Sequence, residues 1–316
     1  MAILDKKGFF HGKMGNLNFR YYRGRQVVQT KSAKVKQTYA SKESSLEFGL
    51  CSGSAKVIRN AFSAVISGYE GGMVNRFNSV VRNSVSACRH RERGDRDLHD
   101  ADLSYLKGFQ FNSHSPVDQV LKVRPKAEFL EENKLKISVP GFRGEDIRGG
   151  NGQYYILRFL AVSFDFKAEC YRYHRIKDIR ISSLERYEGE VIELEADFPK
   201  GRVLLLSMSI HAYNLTKLGE EMLLNSKEWS PAELIGAWHI PADEEILRLR
   251  AEKGDDALIT PKDYYCGFER EGILKRFREL KEKRQPVTAK KKSRPERLEV
   301  KDIALPEGDI GFKSRK

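Results

Sequence analysis

From about residue 103 to 240, apolar side chains recur at every second position, and this period decides the fold class of the middle of the chain. Leu135, Ile137 and Val139 alternate with polar neighbours until Pro140-Gly141 closes the run. Ile192, Leu194, Ala196 and Phe198 repeat the pattern. Pro199-Lys200-Gly201 then turns the chain into Leu204, Leu206, Met208 and Ile210. Successive side chains of a strand point to opposite faces, so each series marks the buried face of a sheet. Tyr154 to Phe166, Tyr171 to Ile181 and Ala232 to Ile240 complete a set of about six strands. The first of these changes apolar phase near Phe159-Leu160, as a bulge would make it. Strands joined by turns, with little helix between them, predict an antiparallel sandwich or barrel over 103–242, the β-sandwich being the leading form, with Leu194, Leu206 and Ile210 inside.

The flanking segments have other periods. Ser41 is placed to cap a helix, with Ser44 where a capping box would carry Glu. Leu46, Leu50, Val57, Ile58, Ala61, Phe62 and Val65 then recur at helical spacing up to Tyr69-Glu70-Gly71-Gly72. Gly49 and Gly53 weaken that helix by roughly 1 kcal/mol each relative to alanine. Met73, Phe77, Val80, Val81, Val85 and Cys88 form the stripe of a second helix. Residues 89–102 are nearly all polar or charged and read as a surface loop. Ahead of the helices, Leu17, Phe19 and Tyr21 alternate with polar residues, Arg23-Gly24 turns, and Arg25 to Thr30 returns as a hairpin. Gly8, Gly12 and Gly15 suggest a flexible approach to it, and so short a hairpin must lie on something. Residues 244–253 and 269–284 read as helices.

The expected architecture is α+β. It has a helical N-terminal unit with a β-hairpin (1–102), the sandwich (103–242), a helical extension (243–285) and a disordered basic tail (286–316).

Charge is placed unevenly along this plan. The net charge is +13, yet residues 1–42 hold ten Lys/Arg against one acid and residues 270–316 sixteen against eight, leaving a body of −4. In the first segment Arg20, Arg23 and Arg25 are interleaved with Phe19, Tyr21 and Tyr22, a mixture suited to phosphate pairing with stacking. The same mixture suits docking on an acidic surface of this chain or of a second copy. Lys13, Arg20, Tyr22, Arg23, Arg25, Lys31, Lys34 and Lys36 are the candidate contact residues, joined by Lys290, Lys291, Lys292 and Arg294 of the tail. The leading expectation is a non-enzymatic binding or assembly protein, engaging a protein partner or itself; the alternative is a nucleic-acid-binding protein working through the same ends.

Other chemistries lack their patterns. Gly12-Lys13-Met14-Gly15 has its lysine before the second glycine and methionine where a phosphate loop needs Ser/Thr. His90, Asp95, Asp97, His99 and Asp100 could be drawn as a metal cluster, but Arg82, Arg89, Arg91, Arg93 and Arg96 repel a cation there. No serine sits in a G-x-S-x-G elbow, no H-E-x-x-H occurs, and Glu193 and Glu195 share the outer face of one strand. No enzyme activity, cofactor, metal or small-molecule substrate is expected. Cys51, Cys88, Cys170 and Cys266 are widely spaced, without a C-x-x-C pair, and are expected to be reduced. No apolar run suits a signal peptide or membrane helix, so a cytoplasmic, membrane-free protein is expected.

The opening motif, Gly12-Lys13-Met14-Gly15-Asn16 followed by Arg23-Gly24-Arg25-Gln26-Val27-Val28 and Lys31, resembles uncharacterised proteins of Bacteroidetes. Those begin with G-K-x-G-N, a short strand and an R/K-G turn. The likeness covers about the first 90 residues and implies no catalytic residue. It departs at Gln29-Thr30 and at Tyr39-Ala40.

The composition of residues 286–316, low in apolar and high in charged side chains, predicts that protease removes them well before it cuts the body. Limited proteolysis followed by mass spectrometry checks this, and survival of the tail for as long as residues 135–240 contradicts it.

Overall fold

The structure, a computed structural model, describes residues 2–22, 24–31, 36–130 and 133–283. Arg23, Lys34 and the whole tail, including Lys290, Lys291, Lys292 and Arg294, lie outside the described residues.

The chain opens with a four-stranded antiparallel meander, β1 (Ala2–Leu4), β2 (Phe10–Met14), β3 (Leu17–Tyr22) and β4 (Arg25–Thr30), paired in chain order. The expected hairpin is β3–β4, with Tyr22 opposite Arg25. Two more strands precede it where a flexible approach was expected. Their glycines serve the turns instead: Gly8 and Gly15 take φ of +82° and +57°, which L side chains adopt at a cost. Asp5 shapes the first turn, its carboxylate accepting the Lys7 and Phe9 N–H groups at 2.8 and 2.9 Å.

Helix α1 (Tyr39–Ala61) is capped by Thr38, whose Oγ1 accepts the Ser41 N–H, so the cap lies three residues before the expected Ser41. It ends near Ala61 in a 3-10 turn rather than running to Tyr69. A Cβ on Gly53 would sit 2.5 Å from the Phe268 ring, and one on Gly49 3.3 Å from Ile273 Cδ1. The two glycines that weaken the helix therefore admit the C-terminal segment. Helix α2 (Met73–Ala87) buries Met73, Phe77, Val81 and Val85, as its stripe predicts. A one-turn helix, α3 (Val117–Val120), precedes the strands of the body.

Those strands are β5 (Lys126–Leu130), β6 (Lys134–Arg143), β7 (Tyr154–Asp165), β8 (Cys170–Arg175), β9 (Ile179–Ser182), β10 (Arg186–Glu195), β11 (Val203–Leu215), β12 (Glu221–Leu223) and β13 (Ala232–His239). Helix α4 (Glu244–Lys253), the two-residue strand β14 (Tyr264–Tyr265) and helix α5 (Arg270–Glu282) complete the chain. Seven strands form one sheet in the order β12-β11-β7-β8-β14, with β13 also on β11 and β9 also on β7. Three form a second, β10-β6-β5, and every pairing is antiparallel.

The fold class is mixed α+β with antiparallel sheets, as expected, with five helices among the described residues, while the body is not clearly a sandwich. Its main sheet curls into a half-barrel. Val162, Phe164, Val203 and Leu205 meet α1, α2 and Phe111 on one face, while Phe159, Ala161, Leu204 and Leu206 meet Leu135 and Ile137 of β6 on the other. Burial on both faces explains the apparent change of phase in β7, whose register against β11 runs unbroken. The irregularity lies between β11 and β13, at Leu206/Ser207. The single strand expected over 171–181 is two, β8 and β9, pairing successive stretches of β7. Strand β6 runs on through Pro140-Gly141, because Gly189, at φ +91°, lets β10 bend around them.

Leu206 and Ile210 are buried as expected, and Leu194 is half-buried at the edge of the second core. With Leu206 wholly enclosed, Leu206→Ala is expected to cost about 2–5 kcal/mol in urea denaturation. A loss below about 1 kcal/mol contradicts this placement.

Candidate functional site

Opposed residues of an antiparallel pair share a face, so the register sorts the N-terminal sheet into two unlike surfaces. Leu4 faces Phe10, Met14 faces Leu17, and Phe19 lies between Gly12 and Val28, with Tyr21 two residues on. That surface carries no charged side chain in any strand, and Leu4, Phe10, Met14, Leu17, Tyr21 and Val28 are all exposed. The other surface carries His11, Lys13, Arg20, Tyr22 and Arg25, with Ile3 and Val27 among them. No residue of β1–β4 is buried.

Of the expected contact residues, pairing thus brings Lys13, Arg20, Tyr22 and Arg25 to one face. The Arg20 guanidinium lies 5.3 Å from the Tyr22 ring centroid, a cation–π distance. Lys31 follows β4, its N–H bonded to Asn16 O at 2.6 Å, and Lys36 lies on the approach to α1; both are exposed. Among the described residues of this face, His11 has a carboxylate partner, Asp5 at 2.9 Å.

The arginines of the body are arranged oppositely. Arg96 forks onto Glu47 of α1 at 2.6 and 3.0 Å, Arg91 meets Asp100 at 2.8 Å, and Asp97 and Asp95 receive Arg270 and Lys281 of α5. Residues 89–102 are therefore not the expected surface loop. They are clamped between α1 and α5, with Leu98 and Ala101 buried and Gly94 (φ +90°) pressed against Phe277. Sequence spacing could not show this, since the partners come from distant segments. The Asp263 side chain, enclosed from solvent, is held by Arg202 at 2.7 and 2.9 Å and Arg172 at 3.0 Å. Burial pushes its carboxyl up, but Arg202 and the Thr260 N–H outweigh that and hold it below the usual range. Asp165 is likewise lowered, by His99 and Arg250 against its burial.

A groove of about 610 Å³ between α4, α5 and residues 91–95 collects Arg91, Lys167, Arg250, Arg270, Arg278 and Lys281. All but Lys167 hold carboxylate partners, so the groove is close to charge balance. Two serine–histidine pairs lie in the core: Ser163 Oγ to His174 Nε2 and Ser209 Oγ to His211 Nε2, both 2.9 Å. Burial first, then the charges of Arg172 and Arg202, push His174 down to about 4; burial and Arg158 do the same to His211. Sealed and neutral, these pairs satisfy each other's hydrogen bonds. His239, by contrast, is exposed on β13. Among the described residues no three His, Cys, Asp or Glu are placed to hold a metal ion, and no helix is long and apolar enough to cross a membrane. The four cysteines are free thiols.

Comparison with protein-family models, curated proteins and solved structures finds no match.

The buried histidines set a pH dependence. Their folded-state values near 4 lie below the ordinary 6.5, so the unfolded chain binds more protons as pH falls between those limits. Their stabilising effect is full above pH 6.5 and fades toward pH 4, by roughly 1–3 kcal/mol each. The lowered Asp165 and Asp263 add a further loss below about pH 4, where carboxylates of the unfolded chain take up protons. Replacing both histidines (His174→Gln with His211→Gln) is expected to flatten the stability curve from pH 6.5 to 4 and leave the acid limb intact. An unchanged slope there contradicts the assignment.

Proposed function

We propose that this chain is a non-enzymatic binding and assembly protein that engages partners through its N-terminal sheet, a second copy being the partner its apolar face suits. The observation that carries this reading is an exposed sheet face bearing Leu4, Phe10, Met14, Leu17, Tyr21 and Val28, without one charge, ahead of a body that closes two cores of its own. Isolated sheets of this size gain stability by covering their apolar face. Two such faces can meet at the usual spacing of about 10 Å between stacked sheets, with the basic faces turned outward. An acidic acceptor on the body has less to offer. Glu47, Asp97, Asp165, Glu233 and Asp263 are already engaged by its own arginines.

The contact is small. Four strands about 4.8 Å apart and roughly 15 Å long present about 300 Å² of face, below the roughly 800 Å² per partner of a standard stable interface. Association through it is therefore weak and concentration-dependent. The basic tail joins this proposal on its sequence alone.

Sedimentation of the full chain from about 1 to several hundred μM tests the reading. Wild type is expected to associate across that range, and Leu17→Glu with Val28→Glu to remain monomeric with the body's melting temperature unchanged. A wild type that is monomeric throughout, or a double variant that still associates, overturns it.

A further inference from the structure

We infer that the basic face of the N-terminal sheet, bearing Lys13, Arg20, Tyr22 and Arg25, is a binding surface for single-stranded nucleic acid. Three observations support it. The first is pairing. Among the described residues, Lys13, Arg20 and Arg25 have no carboxylate partner, whereas Arg91, Arg96, Arg172, Arg202, Arg250 and Arg270 of the body all do. Asp5, the single acid before residue 43, is occupied by His11 and its own turn. Cations left without internal partners on one face present their charge to whatever approaches it.

The second is spacing. Residues two apart on a strand are about 6.6–6.8 Å apart, and neighbouring strands about 4.8 Å. Arg20 and Tyr22 alternate along β3, Arg25 faces Tyr22, and Lys13 joins through β2. Such a grid follows successive phosphates of an extended strand, whose repeat is of the same size.

The third is the aromatic component. Tyr22 is 51% exposed beside the Arg20 guanidinium, so a base can stack on the ring while the cation meets the adjoining phosphate. A duplex hides its bases from such a platform, so single strands are preferred. Exposed Lys31 directly follows β4 and adds a further cation at its end. The groove between α4 and α5 makes a weaker case, because nearly all its cations are neutralised in place.

The inference does not depend on self-association: the two faces are opposite sides of one sheet, and the test separates them. Fluorescence anisotropy of labelled 20-nucleotide single-stranded DNA and RNA, a duplex of the same sequence and polyglutamate is measured against the full chain over 50–200 mM salt. Three to five phosphate contacts predict a log–log salt slope of about −2 to −3.5 for a single strand, a weakening of about 16- to 130-fold over that range. Lys13→Gln with Arg20→Gln and Arg25→Gln is expected to reduce the slope by about 2 and the affinity at 50 mM salt at least 30-fold. Tyr22→Ala is expected to cost about tenfold with the slope unchanged. Leu17→Glu with Val28→Glu, which leaves every residue of the basic face in place, is expected to bind DNA or RNA within a few-fold of wild type. Tighter binding of RNA than DNA, or the reverse, identifies the strand the face prefers. A wild type that binds neither strand at 50 mM salt, polyglutamate binding as tightly as a single strand, or a triple variant that binds like wild type would each overturn the inference. If the triple variant misfolds, Arg20→Gln with Arg25→Gln takes its place and is expected to reduce the slope by about 1.4, an unchanged slope overturning the inference.

Discussion

Strands β7 and β11 pair over eleven residues, from Tyr154–Tyr213 to Phe164–Val203, and much of the body hangs on that ladder. Strand β11 is buried on both faces along most of this length and β7 from Ala161 onward, so the ladder separates two cores and belongs to each. Burial on two sides sets a strict condition. Any side chain in the pair must be apolar or bring its hydrogen-bond partner with it, since an unpaired polar group in such a place costs about 1–3 kcal/mol. Ser163 and Ser209 meet it with His174 and His211, and burial, with nearby arginines, holds both histidines down at about 4.

Around this ladder the charged side chains act as fasteners. Helices α4 and α5 contribute little apolar surface, Phe277 being the buried side chain of α5. Arg96–Glu47 fixes residues 89–102 to α1, Arg250–Asp165 and Arg202–Asp263 fix the C-terminal segment to the sheet, and Arg270–Asp97 ties α5 to residues 89–102. Breaking one of the buried pairs would leave an uncompensated charge, which is more damaging than losing the attraction itself. The N-terminal sheet follows neither rule. It has no buried residue, no Arg–carboxylate pair among the described residues, and segregates apolar from basic side chains across its thickness. A body that pairs Arg96, Arg202, Arg250 and Arg270 with its own carboxylates, beside a sheet whose Arg20 and Arg25 have none among the described residues, is the contrast on which the functional reading stands.

Much of this was legible where one period governs one face. The stripe of α2, the limits of α4 and the inward side of β11 at Leu204, Leu206, Met208 and Ile210 follow from spacing. Strand β7 misled because two buried faces erase alternation. Strands β1 and β2 were hidden by glycines that serve their turns. The curl of the main sheet and the clamping of residues 89–102 depend on partners a hundred or more residues away in several cases, which no local pattern contains. At the candidate site, Arg20 and Tyr22 share a face by alternation within β3 alone. Lys13 and Arg25 join them only through cross-strand register, and Arg23 and Lys34 lie outside the described residues.

Hydrogen–deuterium exchange of the full chain, followed by mass spectrometry at low and high protein concentration, tests the central contrast most directly. Amides of β7 and β11 should be the slowest to exchange and indifferent to concentration, while those of residues 2–30 should exchange fast when dilute and gain protection as concentration rises. Protection of residues 2–30 equal to that of β7 and β11 at every concentration, or a gain confined to the body, would contradict the account.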